Sequence, residues 1–366
     1  MKFKLVRFFF LWVSIVSGQY KQLLHKPYKD KVKEIGILYA NTIDNGAKDS
    51  LFITSYTDEM RQWALTNNDK ELALEAELLK GYANWHIFGY KYPELVEDLI
   101  DLVEKAKIEQ VLNVEERAIQ VIATHYWRVK NYEKAFEWLL QSAKLLEKMK
   151  PESFPNMARH LNFIAECHYF FRDYNSALIY FEKTSKLKRT EFNVNDVLSA
   201  INTLGLCYQK LGELKLAKPY FLEVINNNSQ FQSAVWKGIA YGNLGYNYYL
   251  EGNYEEAIPL FQKDIKEALI HHDFGLAAGS TTPLADIYLK QNKFAEAKFK
   301  IDEARQYIQL SKQTDRLRKL YPIMSKWYAA NNQVNLSTAY LDSTMIAINE
   351  YNKKYNSLKL LRANQK

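Results

Sequence analysis

Residues 201–221 read INTLGLCYQKLGELKLAKPYF, and residues 241–261 read YGNLGYNYYLEGNYEEAIPLF. The two align without a gap, forty residues apart, and a step of forty in either direction recovers the same columns. One column is small: Ala83, Ala123, Ala165, Gly205, Gly245, Ala285 and Ser325. Three residues on stands a ring: His86, Tyr126, His168, Tyr208, Tyr248, Tyr288 and Tyr328. A second small column holds Leu95, Ala135, Ala177, Ala217, Ala257, Ala297 and Ser337. Four residues beyond it comes a large apolar column: Leu99, Leu139, Phe181, Phe221, Phe261, Ile301 and Leu341. The step breaks once, where two extra residues enter near 150–155, a loop reading KPESFP.

Steps of three and four place these columns on one face of a helix. Between the ring and the second small column lies a turn, as in Lys130-Asn131-Tyr132 or Glu251-Gly252-Asn253. Asn131, Asp173 and Asn253 share the slot before the second helix, where their side chains can cap free N–H groups. Each unit is therefore helix A, turn, helix B. Small residues let the pair approach and large ones fill the groove, so hairpins stack on their neighbours. Pro219 and Pro259 fall inside helix B, which predicts shortened or kinked first turns. Composition agrees: thirteen glycines and eight prolines in 366 residues are too few for sandwiches, barrels or disorder.

These columns resemble a tetratricopeptide-repeat array over residues 76–357. In that family's pattern a small residue, a tyrosine, an alanine and a phenylalanine recur at these offsets, as Gly205, Tyr208, Ala217 and Phe221 do. The family's tryptophan is replaced by Leu79, Ile119, Leu161, Ile201, Tyr241, Thr281 and Tyr321, and its closing proline is missing. The unit is forty residues against about thirty-four. The resemblance implies an all-α, right-handed α-solenoid of about seven hairpins: 76–115, 116–157, 158–197, 198–237, 238–277, 278–317 and 318–357. Residues 19–75 are expected to hold two helices, about 29–42 and 49–65, as a cap or degenerate repeat. Residues 358–366 form a basic helix end.

The chain opens with Lys2, Lys4 and Arg7, an apolar run over residues 8–16, then Ser17 and Gly18. This is the pattern of a secretory leader, 1–18, cut before Gln19 and too short to span a bilayer. The expectation is an exported protein, periplasmic or extracellular, without a stable membrane span in this sequence. The other cations without acids lie at 351–366, so the body is near neutral and unsuited to nucleic acid.

No phosphate loop, zinc-protease pair, nucleophile elbow or Cys-x-x-Cys occurs. The one ligand-like cluster, His271-His272-Asp273, falls where a helix should end, a place that favours histidine without any metal. Cys167 and Cys207 share one slot on successive A helices and are expected to stay free, since helix axes stand farther apart than a bridge allows. No catalytic residue, metal or cofactor is expected.

The resemblance implies a non-enzymatic scaffold that binds a protein or peptide segment along the concave face of the A helices. It is similar to the input domains of repeat-containing sensors and regulators. A second class stays open: a cytoplasmic peptide-controlled regulator or phosphatase resembling the repeat-containing aspartate phosphatases, which requires residues 1–18 to fold as a helix. In this repeat geometry the concave positions are Arg117, Gln120, Thr124 and Trp127, then Arg159, Asn162, Glu166 and Tyr169. Ser199, Asn202, Leu206 and Gln209 follow, then Gly242, Tyr246 and Tyr249. Arginine can fork onto carboxylate, amides can pair with peptide backbone, and aromatics can anchor. The plainer alternative is a solvated face with Arg117 and Arg159 paired to acids such as Glu115 and Glu166.

Overall fold

The computed structural model describes residues 18–89, 91–227 and 233–363; the expected leader, Gly18 apart, lies outside the described residues. Among these there are sixteen α-helices and three short 3-10 segments, with no strand. The chain divides into two compact units, one ending at His160 and the other beginning at Leu161.

The N-terminal unit holds α1 (Tyr28–Gly46), α2 (Ser50–Thr66), α3 (Lys70–Phe88), α4 (Glu97–Ile108), α5 (Leu112–Arg128) and α6 (Tyr132–Leu146). The two helices expected over residues 19–75 are α1 and α2, the first a turn longer than its spacing suggested. The segment ahead of α1 is anchored. Tyr20 is fully buried against Tyr56 and Trp63, and its hydroxyl donates to Glu59 at 2.6 Å. The loop at 150–155 is pinned as well, because Phe154 is wholly buried and stacks on Tyr28 with centroids 5.7 Å apart.

The division falls inside α7 (Met157–Phe170). The C-terminal unit continues through α8 (Tyr174–Ser185), α9 (Val194–Leu211), α10 (Leu214–Ile225), α11 (Ala234–Glu251) and α12 (Tyr254–Ile270). It closes with α13 (Phe274–Lys290), α14 (Phe294–Ser311), α15 (Leu317–Ala330) and α16 (Val334–Ala363). The repeat columns become contacts. Ala165, Ala177, Ala217, Ala257, Ala285 and Ala297 are all fully buried, and Phe181, Phe221 and Phe261 seal the hairpins. A Cβ on Gly205 would stand 2.5 Å from the Phe221 ring, so this slot has no room for a methyl group. The ring column stacks on an aromatic of helix B: His168 on Tyr180, Tyr208 on Tyr220, and Tyr328 on Tyr340 at 5.4–5.7 Å.

Six of the A-to-B turns, from α5–α6 onward, close in one way. Lys130, Arg172, Gly212, Gly252, Asn292 and Asn332, forty or forty-two residues apart, all take positive φ. The next amide then donates back to the ring-column carbonyl, as Asn131 N–H does to Tyr126 and Asn253 N–H to Tyr248, both at 2.9 Å. This arrangement satisfies helix-end carbonyls that would otherwise stay unpaired. Asn131 and Asp173 then cap the following helix through their side chains, to Lys134 N–H and Ser176 N–H. Asn253 does not: its amide donates to Glu251.

Three other expectations are corrected. Helices α10 and α12 run unbroken through Pro219 and Pro259, both on the exposed side. Water can therefore serve the carbonyls these prolines leave without a donor. In the first unit the buried residue of the second small column is Val96 and not Leu95, because a 3-10 turn at Pro93–Val96 shifts the entry to α4. At the other end Leu341 is 54% exposed, because among the described residues α16 is the last helix and none packs over that slot.

Candidate functional site

Arg117, expected on an open face, is committed within the N-terminal unit. Both of its terminal nitrogens donate to Glu75, at 2.6 and 2.9 Å, and its guanidinium lies over the rings of Tyr28 and Tyr39. Tyr39 donates to the same carboxylate at 2.8 Å. Glu75 is wholly buried, so against the cost of burial it holds the guanidinium well above its ordinary pKa. This pair is a buried tie between α3 and α5, and the partner is Glu75 rather than Glu115, the acid the solvated-face alternative offered. Arg159 remains exposed. Thr124 spends its hydroxyl on the Gln120 carbonyl, the Gln120 side-chain oxygen is buried without a partner, and Trp127 packs edge-on against Tyr132.

In the C-terminal unit the helices α7, α9, α11, α13 and α15 are the A helices, and their facing sides carry a run of amides. Asn162 donates to the Asp196 carbonyl at 2.7 Å, leaving its own side-chain oxygen buried and unpartnered. Asn243 donates to Asn202 at 2.9 Å, linking α11 to α9. Gln209 donates to the Asn243 carbonyl at 3.3 Å and reaches Asn247 at 3.5 Å. Asn202 and Gln209 are thus mostly buried between adjacent helices and not wholly free to meet a ligand.

Aromatics stand beside this ladder. Tyr246 and Tyr249 are half-buried and stack at 5.6 Å, and Tyr169 packs edge-on against Tyr174. Tyr249 donates to Asp286 at 2.6 Å, and Asp286 pairs with Lys290 at 2.8 Å. Near α7, Glu166 has its carboxyl pushed up by burial and then by Asp196. Gly242 does not face this side: it abuts Asp264 and Ser280, leaving no room for a side chain.

Asn243, Asn247 and Asp286 were not among the expected residues. Asn243 sits one residue past the expected slot, which Gly242 occupies, so register alone pointed one position short. The cations Lys210 and Arg318 lie outside the four concave positions, whereas Lys319 occupies in the seventh unit the slot of Arg117 and Arg159, beyond the units whose concave residues were expected. The His271-His272-Asp273 run is exposed, and Asp273 caps α13 through Leu276 N–H. Cys167 and Cys207 are buried free thiols, with burial pushing Cys207 up to about 12. Among the described residues no group of His, Cys, Asp and Glu is placed to hold a metal, and no helix is long and apolar enough to cross a membrane.

Residues 196–263 match the tetratricopeptide repeat family, so the repeat resemblance read from the columns holds there. No curated protein matches the chain by sequence. Among solved structures, a Rap protein complexed with Competence and Sporulation Factor is similar at TM-score 0.52 and 15% identity, covering 92% of this chain and 100% of that one. Aspartyl phosphate phosphatase F from Bacillus subtilis gives 0.55 and 14%, with 87% and 93% covered. The apo quorum sensor NprR from B. thuringiensis gives 0.56 and 17%, with 92% and 96% covered. At these identities the likeness is one of fold: an all-α solenoid of repeat hairpins.

Proposed function

We propose that this chain is a non-enzymatic scaffold whose C-terminal unit binds an extended peptide along the facing sides of its A helices. The observation that carries the reading is the coincidence of two groups on that face. Asn162, Asn202 and Asn243 set a run of amides along it, with the Asn162 side-chain oxygen left without a partner, and the half-buried Tyr246–Tyr249 stack offers an apolar anchor. Amides suit a peptide backbone because each supplies both partners of a peptide group, and tyrosines are enriched where binding energy concentrates. The structure of a Rap protein in complex with Competence and Sporulation Factor supports the reading by fold.

The proposal includes export and a sensing role, with Lys2, Lys4 and Arg7 ahead of the apolar run serving as a secretory leader. The packing of Tyr20 directly after the expected cut agrees with a mature chain that starts at Gln19. A reporter active only outside the cytoplasm, fused after Gln19, should be active; an intact Met1 in the cytosol would remove export from the reading.

The binding experiment is selection from a library of capped hexapeptides, followed by fluorescence anisotropy. Selected peptides should lose at least tenfold in affinity to Asn202→Ala/Asn243→Ala, with the helical signal kept. Retained binding would refute the face. The phosphatase class is tested in parallel: release of phosphate from a phosphorylated receiver domain would establish it, and none is expected.

A further inference from the structure

We infer that the same inner face carries an anion site, in which Lys210, Arg318 and Lys319, with Arg172 at their edge, receive an acidic segment of the bound peptide. The inference rests on the peptide reading for the kind of ligand, and on its own observations for the charge.

The cations come from distant parts of the chain. Arg172 stands in the turn after α7, Lys210 near the end of α9, and Arg318 and Lys319 at the start of α15. Tyr351 of α16 marks their meeting place. Its hydroxyl accepts from Arg172 at 3.0 Å, and the Arg318 guanidinium lies 3.9 Å from its ring centroid. The Lys319 ammonium stands 5.1 Å from the ring of Tyr246, so the cluster borders the tyrosine stack of the proposed peptide face.

Elsewhere in the fold buried or crowded cations are matched by carboxylates, as Arg117 is by Glu75 and Lys290 by Asp286. Here they are not. Among the described residues no carboxylate pairs with Lys210, Arg318 or Lys319, and the Arg318 Nε is buried without an acceptor. A buried charged donor left unpaired is costly, and a ligand oxygen would meet that need. The crowding is electrostatically visible. Surrounding protein, then Lys210, Arg318 and Arg316, pull the Lys319 ammonium down to about 8, although its side chain remains open to water. Lys210 is lowered first by its surroundings, and Arg318 and Arg172 add to that while Tyr351 works against it.

There is also room. A cleft of about 410 Å³ opens beside Arg318 and Tyr351, with the side chains of Thr314 and Ser343 on its wall. Asp315 and Glu350 line it too, and they limit the positive charge without pairing to any of the three cations. The ring face and phenolic oxygen of Tyr351 are electron-rich groups set among cations, as an anion would be. Arginine at such a place forks onto carboxylate, and lysine adds a point charge.

The test is titration calorimetry on the full chain with four probes: tetraglutamate, tetraglutamine, tetralysine and citrate. Tetraglutamate should bind at least tenfold more tightly than tetraglutamine, tetralysine should not bind, and the preference should shrink as salt rises. Arg318→Gln/Lys319→Gln should bring tetraglutamate down to the tetraglutamine level, with a melting temperature unchanged or raised by relief of repulsion. Lys210→Gln, at an exposed position, should weaken tetraglutamate several-fold and tests the same point if the double variant does not fold. Equal binding of tetraglutamate and tetraglutamine to the native chain, or an acidic preference that survives these substitutions, overturns the anion site. Equal binding of both that is lost in Asn202→Ala/Asn243→Ala would remove the anion site and keep the peptide face. Cation-dependent binding of citrate and tetraglutamate alike, indifferent to those asparagines, would keep the anion site and remove the peptide face.

Discussion

Gly205 and Gly245 occupy one sequence column and face one kind of neighbour, yet their contacts differ. At Gly205 a methyl group would stand 2.5–2.9 Å from the ring of the fully buried Phe221; at Gly245 the nearest atoms, on Phe261 and Leu260, lie at 3.1–3.2 Å. Alanine gains about 1 kcal/mol over glycine inside a helix, while overpacking costs about 1–3 kcal/mol. Gly205→Ala should therefore lower stability by about 1–2 kcal/mol and Gly245→Ala leave it nearly unchanged, as urea denaturation would read. Equal losses would mean that the column is set by something other than the opposing ring. Asp264 is a second residue-scale case. Burial lifts its carboxyl to about 7, with the Ser280 hydrogen bond working against that, and one oxygen has no partner. Below about pH 4 the group is protonated whether folded or unfolded. Between about pH 4 and 7 the unfolded chain ionises first, so this residue's contribution to stability falls as pH rises, and above 7 the loss is complete. Asp264→Asn should thus stabilise the chain at pH 8, by at most about 4 kcal/mol, and far less at pH 4. A gain independent of pH would show that the carboxylate charge is not its source.

Helix hairpins were legible because their columns combine a period with a size rule, and only Ala or Gly satisfies a slot pressed against a buried ring. The turns were only half legible. Glycine at 212 and 252 announces a left-handed residue and asparagine at 292 and 332 tolerates one, but the same conformation occurs at Lys130 and Arg172, where the side chain gives little hint. There the backbone bond to the ring-column carbonyl sets the geometry and the residue tolerates it. The left-handed conformation costs a side chain about 1–2 kcal/mol, and glycine almost nothing. Lys130→Gly should accordingly raise stability by about 0.5–1 kcal/mol, less than the full difference because glycine also frees the unfolded chain. Gly212→Lys should lower it by about 1–2 kcal/mol. Thermal melts of the two variants moving in the same direction would contradict the turn assignment. The expected shortening at Pro219 and Pro259 failed for a related reason: exposure of a helix face does not show in a single residue's identity.

Functional residues were less legible than the fold, and the reason is the length scale of the information. Arg117 reads as a groove cation until Glu75, forty-two residues earlier, is seen beneath it; the Arg172–Tyr351 contact spans 179 residues. Periodicity places the packed columns of adjacent repeats but not which charged side chains pair between them, as Glu75 and Arg117 do one repeat apart, and it is silent about contacts as distant as Arg172–Tyr351. It does bear on how stability is distributed, since each repeat gains mainly from the two beside it and an end repeat has one. Helix α13 lies within the stack, and nearly every residue from Gly275 to Leu289 is buried. Helix α16 is the last among the described residues, with Val334, Leu341, Met345 and Ile346 each more than half exposed. Local opening is cheapest where buried contacts are fewest. Native-state hydrogen exchange should therefore show α13 among the slowest amides and residues 334–350 exchanging orders of magnitude faster, even though both are continuous helices. Protection in α16 equal to that in α13 would mean that its apolar side is covered in solution. Repeating the measurement at tenfold lower protein concentration would then separate the two ways of covering it, because protection given by a second copy falls on dilution and protection from within the chain does not.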